Sequence, residues 1–175
     1  MLRPIKEILV SRPLGTKVYL YKLSVAPHQL FPYSLSLLPM ISSDSKRDRS
    51  IFAHTGTDNQ ELFYSNYIED ASFVSLMQDL IKSSHKELRY LLSSRAQRQV
   101  DGWLSLVDER ATLIYGRAAE PDDTIGFCLA QDGKILPETY SPMPSYRLIS
   151  RLGIFSLPLP LYRRLIKGLE ELSPN

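Results

Sequence analysis

The chain has 175 residues, 43% of them hydrophobic and 23% charged, with a formal net charge of +2. That length can bury a sizeable core without disulfide or metal staples, and the balance of apolar and charged residues excludes wholesale disorder. A single cysteine, Cys128, excludes an internal disulfide and fits a reducing compartment, and a net charge so near zero does not demand a polyanionic partner.

Residues 1–17 read as an N-terminal arm. Leu2, Ile5, Ile8 and Leu9 could make one helical stripe between Pro4 and Pro13, and Arg3, Lys6, Arg12 and Lys17 face one acid, Glu7. This composition resembles an organelle transit peptide, so import is the alternative to an intracellular, cytoplasmic location. Lys17 to Val25 alternates as a strand. From Leu23 to Ile41 there is no Lys, Arg, Asp or Glu, but Pro27, Pro32 and Pro39 break any helix that would span a membrane, so no transmembrane segment is expected. A second short strand is read near Leu35 to Ile41. Residues 42–50 contain no apolar side chain and are expected to form an exposed, mobile loop dispensable for folding. A strand pair, Ile51 to His54 and Glu61 to Tyr67, flanks Thr-Gly-Thr-Asp-Asn, which has turn chemistry.

Apolar residues from Phe73 to Leu92 recur at three- and four-residue spacing and predict a helix over 71–92. Asp70 or Ser72 can cap it, Ser83-Ser84 is a point of interruption, and residues 93–100 extend it or form a second helix. From Trp103 to Leu157, short β-branched and aromatic runs alternate with turn residues, the pattern of an antiparallel meander. Asp108 to Arg110 joins its first two strands, residues 111–116 supply another strand, and Gln131-Asp132-Gly133 is a tight-turn signal. Trp103 opens an apolar strand and is expected to be mostly buried, anchoring the sheet to a helix. Leu161, Leu165, Ile166, Leu169 and Leu172 form the stripe of a C-terminal helix. The expected fold is a single α+β domain over residues 1–175, with the meander sheet packed against the central and the C-terminal helices.

The chemistry-bearing residues form no assembled motif. His28, His54 and His85 stand apart, with no His or Cys at ligand spacing, so neither a metal nor a cofactor is expected. His54 precedes Thr57 and Asp58, which could cluster with it as a polar site, although a turn uses the same residues for its own geometry. Cys128 alternates inside an apolar strand and reads as a small buried hydrophobe. Glu120, Asp122 and Asp123 read as a solvated acidic loop. Residues 1–60 carry 8 basic and 4 acidic groups, residues 61–123 carry 7 and 11, and residues 124–175 carry 6 and 4, so a basic face must be assembled in three dimensions. One candidate is Lys82, Lys86, Arg89, Arg95 and Arg98, which has only Tyr90 as an interleaved aromatic; nucleic-acid binding is not expected from it. The other is Arg147, Arg151, Arg163, Arg164 and Lys167, an expected anion or partner site; its plainer role is to keep a helix soluble. A non-catalytic protein-binding or assembly factor is the expected function. The alternative is a small enzyme or anion-ligand domain with a cleft near His54 and Arg147 or Arg151.

Overall fold

A computed structural model describes residues 2–10, 16–23, 30–41, 48–58, 66–111 and 118–172. The chain is α+β, and it divides into two compact units, Met1–Leu76 with Ile166–Asn175, and Met77–Leu165.

The first unit is built on an antiparallel sheet of five strands in sequence order: β1 (Lys6–Val10), β2 (Thr16–Lys22), β3 (Tyr33–Ser36), β4 (Ile51–Thr55) and β5 (Tyr67–Glu69). The basic arm is thus not a helical stripe at residues 6–10, where it pairs with β2 in register from Lys6↔Leu20 to Val10↔Thr16. Between Pro4 and Pro13 a helix would have too few residues to repay its nucleation, whereas β2 offers a row of ladder hydrogen bonds. Tyr21, Leu23, Ile41 and Ile51 form a buried cluster against which Leu2 and Tyr19 pack. The Tyr21 hydroxyl donates to the Leu38 carbonyl at 2.8 Å, which allows a phenol to sit in that core.

The loop at 42–50 is not wholly exposed. Residues 42–47 lie outside the described residues, but Asp48 and Ser50 are buried. Asp48 Oδ1 accepts the Ser50 amide at 3.0 Å and the Ser50 hydroxyl at 2.6 Å, and Ser50 Oγ lies 2.8 Å from Ser36 Oγ. A charged residue enters the interior here because the strand ends hand it donors. On the far side of β4, Asp70 caps α1 (Ala71–Ser83) by accepting the amides of Ser72 at 2.8 Å and Phe73 at 3.0 Å.

The predicted 71–92 helix is two helices. Ser84, with φ −87° and ψ 56°, separates α1 from α2 (His85–Gln99). Its hydroxyl and that of Ser83 both donate to the Leu80 carbonyl, at 2.6 and 2.9 Å, so side chains compete for the acceptor at the break.

In the second unit, β6 (Gly102–Val107), β7 (Thr124–Gln131) and β8 (Lys134–Pro142) form an antiparallel sheet in that order. Leu104, Leu106, Cys128, Ala130 and Ile135 are buried on one face, and α2 contributes buried Leu88, Leu92 and Ala96. The β7–β8 hairpin turns on Asp132 (φ 49°) and Gly133 (φ 71°), two successive left-handed residues as a two-residue hairpin requires. The strand expected at 111–116 falls at 112–116 outside the described residues.

Trp103 is not buried; it is 56% exposed. Alternation decides this: Leu104 and Leu106 take the covered face, so Trp103 and Ser105 must take the other. The expected final strands shrink to two-residue partners, β9 (Ile149–Ser150) and β10 (Gly153–Ile154). The C-terminal helix, α3 (Leu159–Leu172), has Pro160 in its first turn, where the missing amide has no intrahelical role, and buries Leu161, Leu165 and Leu169.

Candidate functional site

Among the described residues, a dense polar cluster lies in the second unit, around a residue that reads from sequence as a plain joint. Asp108 ends β6 and makes a local turn by accepting the Arg110 amide on Oδ1 at 2.9 Å. The turn drives the Arg110 side chain inward, where it is only 4% exposed. All five N–H groups of its guanidinium are used. Nε donates to Asp123 Oδ1 at 2.8 Å. Nη1 donates to the carbonyls of Leu148 at 3.0 Å and Gly153 at 2.9 Å. Nη2 donates to the carbonyls of Asp122 at 3.2 Å and of Arg147. One side chain thus ties the end of β6, the 3₁₀ turn Pro121–Asp123 and the β9–β10 segment together.

Asp108 is as well supplied. Its Oδ2 accepts the Tyr146 hydroxyl at 2.6 Å, and both its oxygens accept the Ser156 amide, at 3.0 and 3.1 Å. Burial pushes its carboxyl above the usual carboxylate range; the Arg110 charge and these donors oppose that shift. Tyr146 is pushed up as well, by burial first and then by the Asp108 charge. The Arg110 guanidinium lies 5.6 Å from the centre of the Tyr146 ring. Beside the cluster, Glu109 Oε2 is buried with no hydrogen-bond partner, and burial followed by the Asp108 charge raises its carboxyl.

The acidic loop is therefore only partly solvated. Asp123 is 2% exposed and accepts from Arg110 and from Ser150 Oγ at 2.9 Å. Glu120 and Asp122 remain outside and, with Pro121, Asp123, Ser150 and Arg151, line a polar cleft of ≈ 390 Å³. Pro121 suits a local turn, but nothing in the sequence links that turn to Arg110, thirteen residues before Asp123.

The candidate arginines divide. Arg147 and Arg151 flank this acidic turn: the Arg147 amide donates to the Asp122 carbonyl at 3.0 Å, and Arg151 Nη2 stands 3.7 Å from Glu120 Oε1. Arg163, Arg164 and Lys167 are exposed on α3, with Lys167 Nζ 3.9 Å from Glu171 Oε1. Of the other basic face, Lys82 lies on α1 and Lys86, Arg89, Arg95 and Arg98 on α2; Arg95 is committed to the Ser105 carbonyl at 2.6 Å.

His54 belongs to the first unit and Arg147 and Arg151 to the second. His54 is 6% exposed inside β4, with Nδ1 2.7 Å from the Oγ of Ser34, its cross-strand neighbour. Thr57 donates its amide to Thr55 Oγ1 at 3.3 Å, and Asp58 is exposed. The turn thus separates the imidazole, held in the sheet, from the Asp58 carboxylate in solvent. His85 is exposed at the start of α2, and His28 lies outside the described residues. Among the described residues no group of three His, Cys, Asp or Glu side chains could hold a metal ion, and no helix is long and apolar enough to cross a membrane. Cys128 is buried, and burial pushes its thiol up to about 11, away from the thiolate a nucleophile needs.

On the second face of the β6–β8 sheet, Ser105 Oγ accepts from Arg95 Nη2 at 3.3 Å, and Trp103 beside it stays exposed. Trp103 pairs with Leu129, and Leu129 with Leu136, so the three side chains form one row across all three strands. Leu129 and Leu136 are half-buried, as is Phe127 two residues along β7.

No family model, curated protein or solved structure matches this chain.

Two outcomes follow from the buried cluster. Arg110→Met leaves Asp123 buried without its cation and should cost about 3–5 kcal/mol in denaturant unfolding; a loss under about 1 kcal/mol contradicts the clamp. Glu109 concerns pH. A carboxyl raised by folding contributes full stability below its unfolded pKa and loses it as pH rises through the folded one. Glu109→Gln should therefore raise the melting temperature at about pH 7 and make no difference well below about pH 4. An equal shift at both pH values contradicts the assignment.

Proposed function

We propose that this protein is a non-catalytic binding protein that docks a protein partner through the open face of the β6–β8 sheet. One observation carries the reading: Trp103, 56% exposed, heads a cross-strand row with Leu129 and Leu136 instead of filling a core. A large aromatic on an ordered strand supplies contact area at small entropic cost, and Trp is enriched at the centres of protein interfaces. A sheet face is also pre-organised, so little ordering is lost when a partner docks.

The state of the reactive groups supports the same reading. The Arg110 donors are all occupied, His54 is inside a sheet beside Ser34, and Cys128 is buried. Each serves the fold from within, whereas the residues of the apolar row serve no buried contact with their exposed parts. An intracellular setting belongs to the same proposal and rests on the lone buried cysteine.

A photo-cross-linking phenylalanine derivative placed at position 103, and in a second variant at Tyr90, tests this in cells. Tyr90 is 75% exposed on α2 and is the control for mere accessibility. Discrete protein adducts at position 103 and few at position 90 are expected. Equal labelling at the two positions, or none at 103, contradicts the reading.

A further inference from the structure

We propose that the partner docked on this face presents an acidic segment, which seats a large apolar side chain against Trp103 and Leu129 and gives a carboxylate to Arg95 and Arg98 at the β6 edge. The docking role proposed above is the premise, and the chemistry of its occupant is what is added. Strand register places these groups together. From Gly102↔Ala130 to Leu106↔Gly126, β6 and β7 pair without a shift, so Trp103 stands beside Leu129 and Ser105 beside Phe127. Leu104 and Cys128, between them, are buried on the other face. Trp103, Leu129, Ser105 and Phe127 therefore share one patch of the open face.

Arg95 reaches this patch from α2. Nη1 donates to the Ser105 carbonyl at 2.6 Å and Nη2 to Ser105 Oγ at 3.3 Å, so the guanidinium lies at the β6 edge, beside a side chain of the patch. Arg98 follows one helical turn later and is exposed. What these two arginines lack is an anion. Arg110 shows how this chain satisfies a guanidinium deep inside: every donor is occupied, and Asp123 stands at 2.8 Å. Half-buried Arg95 uses two of its five N–H groups, and the rest have no acceptor among the described residues. Neither Arg95 nor Arg98 has a carboxylate at ion-pair distance among those residues. Asp101 has Oδ1 turned to the Asp132 amide at 2.8 Å, and Glu87 lies about 12 Å back along α2. Burial first, and then the Arg98 charge, pull the Arg95 guanidinium below its usual range. A carboxylate held by both arginines relieves that repulsion and matches the planar donor fork.

The apolar and the charged parts together fix the class of segment. Trp103 and Ser105 are two residues apart, about 7 Å along the strand. An extended segment laid along β6 repeats that spacing, so a large apolar residue with Asp or Glu two positions away meets both parts at once. A single-stranded nucleic acid would want several exposed rings for successive bases. Here Trp103 is exposed and Phe127 is half-buried, which suits one anchor side chain better than a run of stacked bases.

Nuclear magnetic resonance titration of the nitrogen-15-labelled full chain tests the proposal, because its only tryptophan gives a single indole signal to follow. The probes are two end-blocked peptides, Gly-Ser-Phe-Ser-Glu-Ser-Gly and the same peptide with Gln for Glu, and a uridylate tetramer. The Glu peptide should shift the Trp103 indole and the Arg95 side-chain signal with a Kd of about 1–5 millimolar, and the Gln peptide should bind about fivefold more weakly. Arg98→Glu, at an exposed position, should leave the circular dichroism unchanged, weaken the Glu peptide about fivefold and leave the Gln peptide within about twofold. Equal binding of the two peptides overturns the proposal, as does binding of neither at about 10 millimolar, or a tetramer that binds more tightly than the Glu peptide. The docking role fails separately: protein adducts at position 103, beside two peptides that bind alike, leave that role standing and remove only the acidic segment.

Discussion

The second unit depends on one constraint, the burial of the Arg110 guanidinium. A cation taken out of water is costly unless every donor finds an acceptor and a counter-charge lies close. Here one carboxylate and four carbonyls meet all five donors. The carbonyls come from residues 122, 147, 148 and 153, in segments with little regular structure of their own. β9 and β10 have two residues each and make too few ladder bonds to fix their position. Arg110 does what a longer ladder would otherwise do, and its geometry admits few alternative arrangements because the guanidinium is planar and its donors point in set directions.

That constraint has a consequence for function. Among the described residues, charged groups that look available in the sequence, Asp108, Arg110 and Asp123, are consumed in holding the loops, while a polar cleft lies beside Glu120 and Arg151 and an apolar row lies on a sheet face. The sheet itself is asymmetric. Its inner face carries Leu104, Cys128 and Ala130 with Leu88, Leu92 and Ala96 of α2 also buried, while Trp103, Phe127, Leu129 and Leu136 sit on the outer face. Binding through a rigid, partly apolar face needs no mobile loop and no reactive group, and this is the ground for the docking role proposed above.

The elements set by local chemistry were legible before the structure. Asp132-Gly133 announces its hairpin because only certain residues tolerate two left-handed conformations in succession. The Phe73 to Leu92 periodicity gives the helices, and Ser83-Ser84 their break. What depended on tertiary context was not legible. Trp103 was expected inside because tryptophan is apolar and its strand is apolar. Which face of a strand is covered, however, is a one-residue matter of register, and composition is silent on it. Asp48, Ser50 and Asp123 were read as solvated because they sit in polar stretches. Their burial follows from partners made by folding, Ser36 for one group and Arg110 for the other. Residues 6–10 carry a spacing that suits a helix as well as a strand, and the neighbouring edge of β2 decides between them.

The central claim is that this sheet offers an open apolar face in the isolated chain. Trp103 is the only tryptophan, so its fluorescence reports on that face alone. The direct measurement is acrylamide quenching of the native protein at submicromolar concentration, where self-association is minimal. The account predicts emission close to that of tryptophan in water and efficient quenching, changing little on unfolding in denaturant. A blue-shifted emission that acrylamide barely reaches, and that turns red only on unfolding, would contradict it.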